Sequence, residues 1–221
     1  HRLLRAGDTV ARFGGDEFVV VCEPVAPCDA LKRAQRFLDA VRRAQVIGVA
    51  NHVSASIGVA VAKRSASDPE SLIRDADAAM YAAKRAGRAR CALFDEPLRD
   101  QVSRRFQMES DLRATIADDG LDVVFQPIVT IDGGETSALE ALCRWDKGSP
   151  ADFIPIAEES GLILSLGAQV LAQSLASARK VHQASPRFAD IRIGVNVSAR
   201  ELDQPDYAHR TLEIIEASGV R

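Results

Sequence analysis

No charge of one sign dominates this chain. Its 28 Lys+Arg stand against 31 Asp+Glu, a formal net charge of −3. Without a basic excess there is no bulk electrostatic case for a nucleic-acid partner. Lysine is scarce, five residues, so most cations are arginines, the better planar fork for phosphate and carboxylate. The four cysteines, Cys22, Cys28, Cys91 and Cys143, form no CxxC pair and no metal-ligand spacing. Reduced cytosolic thiols are the simplest reading. No apolar run approaches the roughly 20 residues needed to span a bilayer. The N-terminal HRLLRAGD has neither an initiator Met nor an apolar leader core, and reads as the middle of something. Repeats and low-complexity segments are also missing.

What remains is an ordinary globular composition, 47% hydrophobic and 27% charged over 221 residues. That length suits one large domain or two small ones. In the first half, Val10–Phe13 and Glu17–Cys22 flank Gly14-Gly15-Asp16, a hairpin signal. Asp29–Ala44 has apolar residues at helical spacing, with Leu31, Ala34, Phe37, Leu38 and Val41 as the expected stripe. His52–Ala62 reads as a strand. Asp68–Gly87 reads as a helix with an Asp-Pro-Glu start, a Gly stop and a stripe of Leu72, Ile73, Ala76, Ala79, Met80 and Ala83. A short strand near Arg90–Phe94 follows.

Glu96–Ser110 resembles a helical connector, and a further helix is expected near Asp111–Asp118. Val123–Thr130 and Ser137–Trp145 read as strands about the Asp132-Gly133-Gly134 turn. Phe153–Ser160 and Leu162–Gln183 read as helices split at Gly161. Ile191–Ser198 is apolar enough for a strand buried on both faces, and Tyr207–Ala217 reads as a helix. Alternating strands and helices suggest a parallel α/β barrel or wound sheet.

Several residues could carry chemistry. Gly14 and Gly15 let a backbone approach a ligand closely. Asp16 and Glu17 at that turn could hold Mg²⁺, which takes oxygen ligands and bridges phosphates; the plainer reading is a hairpin with solvated acids. Lys84 and Arg88, four apart at a helix end, could clamp a triphosphate or simply answer the helix dipole. Arg5 and Asp8 could be a surface ion pair or half of an anion site. Glu140 and Arg144, four apart in a strand, share a face. They suit a metal and a phosphate, or else a buried ion pair. Gln126 and Asn196 also stand on or at the ends of strands, where α/β barrels keep functional groups.

Taken together, these motifs resemble a known tandem. Arg12–Phe18 contains the GGDEF signature of diguanylate cyclases, and Ala76–Lys84 followed by Gly87-Arg88 is similar to the C-terminal helix of that family. Phe125-Gln126-Pro127-Ile128, Glu140-Ala141-Leu142 with Arg144-Trp145, Phe153-Ile154-Pro155 with Ala157-Glu158, and Asn196-Val197-Ser198 resemble an EAL phosphodiesterase domain. The resemblance implies a ferredoxin-like, nucleotide-cyclase-type α+β domain at 1–95, a connector at 96–110, and the first part of a TIM-like (β/α) barrel at 111–221. It implies synthesis of cyclic di-GMP from two GTP, its hydrolysis to linear pGpG, or both. Gly14 and Gly15 would lie against GTP, Asp16 and Glu17 would serve the metal and the attacking hydroxyl, and Lys84 and Arg88 would hold terminal phosphates. Arg5 and Asp8 would form the product-binding inhibitory site. Glu140 and Asn196 would be metal ligands for Mg²⁺ or Mn²⁺, with Gln126, Leu142, Arg144 and Pro155 lining the cyclic di-GMP pocket. Glu201 stands where the family often has Gln. A homodimer is expected, since one cyclase domain offers one GTP site. Later EAL residues would lie beyond Arg221, so the chain is expected to be an excerpt, inactive alone, of a protein with cytoplasmic domains and any membrane anchor elsewhere. The competing readings are a non-catalytic cyclic di-GMP or GTP receptor and a Mg²⁺-dependent nucleotidyl enzyme of other specificity.

Overall fold

The computed structural model describes residues 3–23, 26–43, 53–62, 68–184, 188 and 190–220. The chain divides into two compact units, His1–Ser103 and Arg104–Arg221. No helix among the described residues is long and apolar enough to cross a membrane.

In the first unit, β1 (Thr9–Gly14) and β2 (Glu17–Val21) form an antiparallel hairpin. Gly15 makes the turn at φ 52°, a left-handed angle that costs a glycine little. A second ribbon pairs β3 (Ile57–Val59) with β4 (Cys91–Leu93) in parallel, joined through α2 (Pro69–Arg85). β3 is much shorter than the expected run, of which His52 lies outside the described residues. The two ribbons are separate sheets. Asp68 caps α2 by accepting from the backbone N–H groups of Glu70 and Ser71, and Pro69 starts it without needing a partner for its nitrogen. Gly58 lets β3 lie on α2: a Cβ there would come within 1.9 Å of the Ala76 carbonyl. Ala79 and Ala83 are the buried residues of α2, while Ile73 is exposed. α1 (Pro27–Arg43) likewise buries Ala30, Ala34 and Leu38 and leaves Leu31 exposed. Both buried stripes are narrower than the sequence pattern suggests.

The expected connector and the helix after it are one element, α3 (Glu96–Ala117), and the unit boundary falls inside it. No Gly or Pro interrupts the run from Leu98 to Ala117, so nothing stops the helix.

The second unit centres on the sheet β5 (Asp122–Val129), β6 (Thr136–Arg144), β7 (Arg192–Val195). β5 and β6 pair antiparallel and β6 and β7 parallel, so the expected all-parallel sheet is corrected to a mixed one. The short Thr130–Glu135 turn allows only a hairpin, whereas α4 (Pro150–Ser160) and α5 (Ile163–Ala184) provide the long crossover a parallel pair requires. Gly161 ends α4 at φ 79°. After β7 come α6 (Ala199–Leu202) and α7 (Tyr207–Ser218).

The core joins Leu112 and Ile116 of α3, Leu121, Trp145, Phe153, Ala157, Ile163, Leu166 and Val170. Trp145 meets Phe153 edge-on, centroids 5.6 Å apart at 84°. Its indole N–H donates to Thr115 Oγ1 at 3.1 Å. Gln173 of α5 donates to the Leu121 carbonyl at 2.9 Å, satisfying backbone between α3 and β5. Fully burying Phe153 contributes about 1.5–3 kcal/mol. One sheet face packs on this core through Val123, Cys143 and Val195. The other face is open: β7 alternates between exposed and half-buried residues and is not buried on both faces.

Candidate functional site

The register of the second unit places most of its expected site residues on the open sheet face. Gln126 of β5 is the cross-strand partner of Glu140 of β6, which in turn pairs with Gly194 of β7. Because side chains alternate, Leu142 and Arg144 share the face of Glu140. Asn196 follows β7 directly, and its side-chain Nδ2 donates to Glu140 Oε1 at 2.9 Å. That bond leaves the amide oxygen of Asn196 and the second carboxylate oxygen of Glu140 for another partner. Arg144 does not pair with Glu140; its Nη1 donates to the Cys143 carbonyl at 2.9 Å, and the side chain is exposed. The expected alternative of a buried Glu–Arg pair is thereby corrected: Arg144 sits at the strand end, where solvent competes. Pro155 stands within α4. Cys143, on the packed face, has its thiol pushed up to about 11 by burial, which leaves it inert as a nucleophile.

Three residues with no site role of their own in the sequence reading hold the turn after β7. Ser198 Oγ donates to Glu158 Oε1 at 2.7 Å. Glu201 Oε2 accepts from the Ser198 backbone N–H at 2.9 Å, closing a capping box on α6. Glu201 is 6% exposed, and burial raises its carboxyl above the usual range. The Ser-x-x-Glu spacing was the available signal.

In the first unit the Gly14–Glu17 turn stands at the tip of the β1–β2 hairpin. Arg12 grips it, donating to the Gly15 carbonyl through Nε at 2.9 Å and Nη2 at 2.6 Å. Asp16 and Glu17 are exposed. Lys84 lies in the last turn of α2, but the helix ends at Arg85 and Arg88 adopts φ 57° beyond it. The expected shared helix face is therefore corrected: Gly87 (φ 108°) turns the chain away first. Among the described residues no hydrogen bond or ion pair links Lys84 or Arg88 to Asp16 or Glu17.

Arg5 and Asp8 do meet, but through the backbone. The Arg5 N–H donates to Asp8 Oδ2 at 2.6 Å, and the Asp8 N–H returns to the Arg5 carbonyl at 3.0 Å. The side-chain partner of Asp8 is Arg33 of α1, so the expected Arg5–Asp8 ion pair is corrected to an Asp8–Arg33 pair. The Asp8 side chain is fully buried and that of Arg33 12% exposed. The Arg5 backbone N–H, then the Arg33 guanidinium, hold the Asp8 carboxyl below its ordinary value against the opposing effect of burial. Asp8 Oδ1 and Arg33 Nη1 are buried without partners. A cavity of about 720 Å³ opens beside them, lined by Arg5, Lys32, Arg33, Arg36, Phe37 and Asp29 among others. Four cations around one cavity favour an anionic ligand.

For a divalent ion, Glu140 with Asn196, and Asp16 with Glu17, supply oxygen donors of the right hardness. No group of three or more His, Cys, Asp or Glu able to hold a metal occurs among the described residues. The residues fit part of a metal shell, not all of it.

The EAL domain family model matches residues 109–221, and that of the diguanylate cyclase GGDEF domain matches residues 1–90. The cyclic di-GMP phosphodiesterase PdeR of Escherichia coli is 36% identical over 205 residues, covering 90% of this chain and 30% of that protein. The bifunctional diguanylate cyclase/cyclic di-GMP phosphodiesterase MucR of Pseudomonas aeruginosa is 35% identical over 204 residues, covering 89% and 29%. The chain thus spans about 30% of the length of these curated relatives. The solved structure of the EAL enzyme Bd1971 in its cAMP-bound form matches with a TM-score of 0.51 at 21% identity, over 71% of this chain and 41% of that one, a likeness of fold. The architecture is accordingly a GGDEF-type α+β unit followed by part of an EAL barrel. With the EAL family model spanning more than half of its residues, the chain belongs to the EAL domain family and carries a diguanylate cyclase GGDEF segment ahead of that domain.

Proposed function

We propose that this chain belongs to an enzyme of bacterial cyclic di-GMP turnover whose EAL unit hydrolyses cyclic di-GMP to linear pGpG. The observation that carries the reading is the Asn196–Glu140 bond at 2.9 Å on an open sheet face, with Gln126 opposite and Leu142 and Arg144 further along it. Mg²⁺ or Mn²⁺ bound there would activate a water and neutralise phosphate charge. Glu140 and Asn196 would hold part of its shell through their free oxygens. Arg144, exposed at the strand end, would take a phosphate by its fork. Gln126 and Leu142 would border the nucleotide, with Pro155 at the pocket edge.

The GGDEF unit would bind GTP, with Gly14 and Gly15 against the nucleotide, Asp16 and Glu17 at the metal, and Lys84 and Arg88 at the phosphates. Synthesis from two GTP requires two such units facing each other, hence a homodimer. The cation-lined cavity beside Arg5 and Asp8 suits the product, a doubly charged cyclic dinucleotide. The domain limits that go with this reading are 1–95, 96–110 and 111–221.

The test is incubation of the full-length protein with cyclic di-GMP and Mg²⁺ or Mn²⁺. Linear pGpG should form, and Glu140→Ala should lower its rate on the order of 100-fold or more. Absence of pGpG from the unaltered protein would leave the receptor reading in its place.

A further inference from the structure

We propose that Glu201 and Ser198 are positioning residues: seated against α5 and tied to α4, they fix the turn after β7 and so hold Asn196 at Glu140. The inference rests on the phosphodiesterase reading above.

Asn196 lies beyond the last hydrogen-bonded residue of β7, and Val197 after it is 43% exposed. Beyond β7 the Asn196 side chain meets the sheet through its bond to Glu140, and the core does not enclose it. Two residues later the chain is pinned from two sides. Ser198 Oγ reaches Glu158 on α4, and the Ser198 N–H is held by Glu201. The Arg200 guanidinium adds bonds to the carbonyls of Glu158 and Glu159 at the end of the same helix. Glu201 itself has a seat: Gly167 of α5 leaves the space its carboxylate fills, and a Cβ at Gly167 would stand 1.9 Å from Glu201 Oε1. α4 and α5 carry Phe153, Ala157, Leu166 and Val170 of the core. The turn is thus tied to the two helices that carry the buried core. A buried carboxylate is a costly way to cap a four-residue helix. Holding a ligand-bearing turn to within a fraction of an ångström gives it a purpose.

The geometry also provides a selective lever. In Gly167→Ala the methyl meets the far end of a flexible side chain, so Glu201 is displaced while the helix stays. Glu201→Gln keeps an acceptor for the Ser198 N–H in the same seat. In the full-length protein, Mn²⁺ binding is followed by electron paramagnetic resonance without substrate, the ions lost on Glu140→Ala defining the site. Gly167→Ala and Ser198→Ala should weaken that binding by about 10-fold or more. Glu201→Gln should bind as the unaltered protein does. Val170→Ala, a core change on the same helix, should lower Tm and leave the affinity alone. Unchanged Mn²⁺ affinity in both Gly167→Ala and Ser198→Ala overturns the proposal, as does an equal loss in Val170→Ala. Because binding is read without turnover, a protein that binds Mn²⁺ yet makes no pGpG counts against the phosphodiesterase reading and not against this one.

Discussion

The amide of Asn196 donates to the carboxylate of Glu140 across 2.9 Å, joining residues 56 apart in the chain. The crossover through α4 and α5 makes this possible, because it returns β7 parallel to β6 with Glu140 level with Gly194. A slip of one residue in that register would turn Glu140 and Asn196 to opposite faces.

At the hairpin tip, Asp16 and Glu17 are exposed and outside the core, so changing them should spare folding. Glu17→Gln in the full-length protein should cut cyclic di-GMP synthesis from GTP on the order of 100-fold, with an unchanged Tm. Normal synthesis would remove Glu17 from the metal site.

Arg5 meets Asp8 through its backbone N–H and carbonyl, both of which alanine retains. Arg5→Ala should therefore keep the turn and remove one cation from the cavity. Inhibition of synthesis by added cyclic di-GMP should weaken at least about 10-fold, the cost of one charge-assisted bond, with the initial rate unchanged. Persistent inhibition would show that the cavity does not take the product.

Asp8 has its carboxyl held below the ordinary carboxylate value, chiefly by the Arg5 N–H and then by Arg33. A lowered folded-state pKa contributes stability that is complete above the unfolded value and lost as pH falls through the folded one. Asp8→Asn should thus lower Tm most at neutral pH, and the two proteins should converge as pH drops below 3.8. A Tm difference that does not vary with pH would contradict a lowered Asp8 carboxyl in the folded protein.

Much of this was legible from local signals. The Gly14-Gly15 hairpin, the Asp68-Pro69 start of α2 and the Gly161 stop each depend on the intrinsic preferences of one or two residues. The motif residues of the second unit were found in order, but their common sheet face depends on pairing across strands, which no local pattern states. Lys84 and Arg88 looked like helix neighbours because the pattern hid where the helix would end; the left-handed angles of Gly87, Arg88 and Ala89 decide that. Arg33 was invisible as the partner of Asp8 because 25 residues separate them. Glu201 had a readable capping spacing, but its burial depends on the space left by Gly167, on a helix that precedes it by more than thirty residues.

The central claim is that Glu140 and Asn196 act as one site, and a double-mutant cycle on hydrolysis tests it most directly. In the full-length protein, kcat for cyclic di-GMP is measured for Glu140→Ala, Asn196→Ala and both together. Groups that serve one metal act as a unit, so the pair should lose hardly more than the worse single variant. Losses that multiply, or a single variant with full activity, would contradict a shared site.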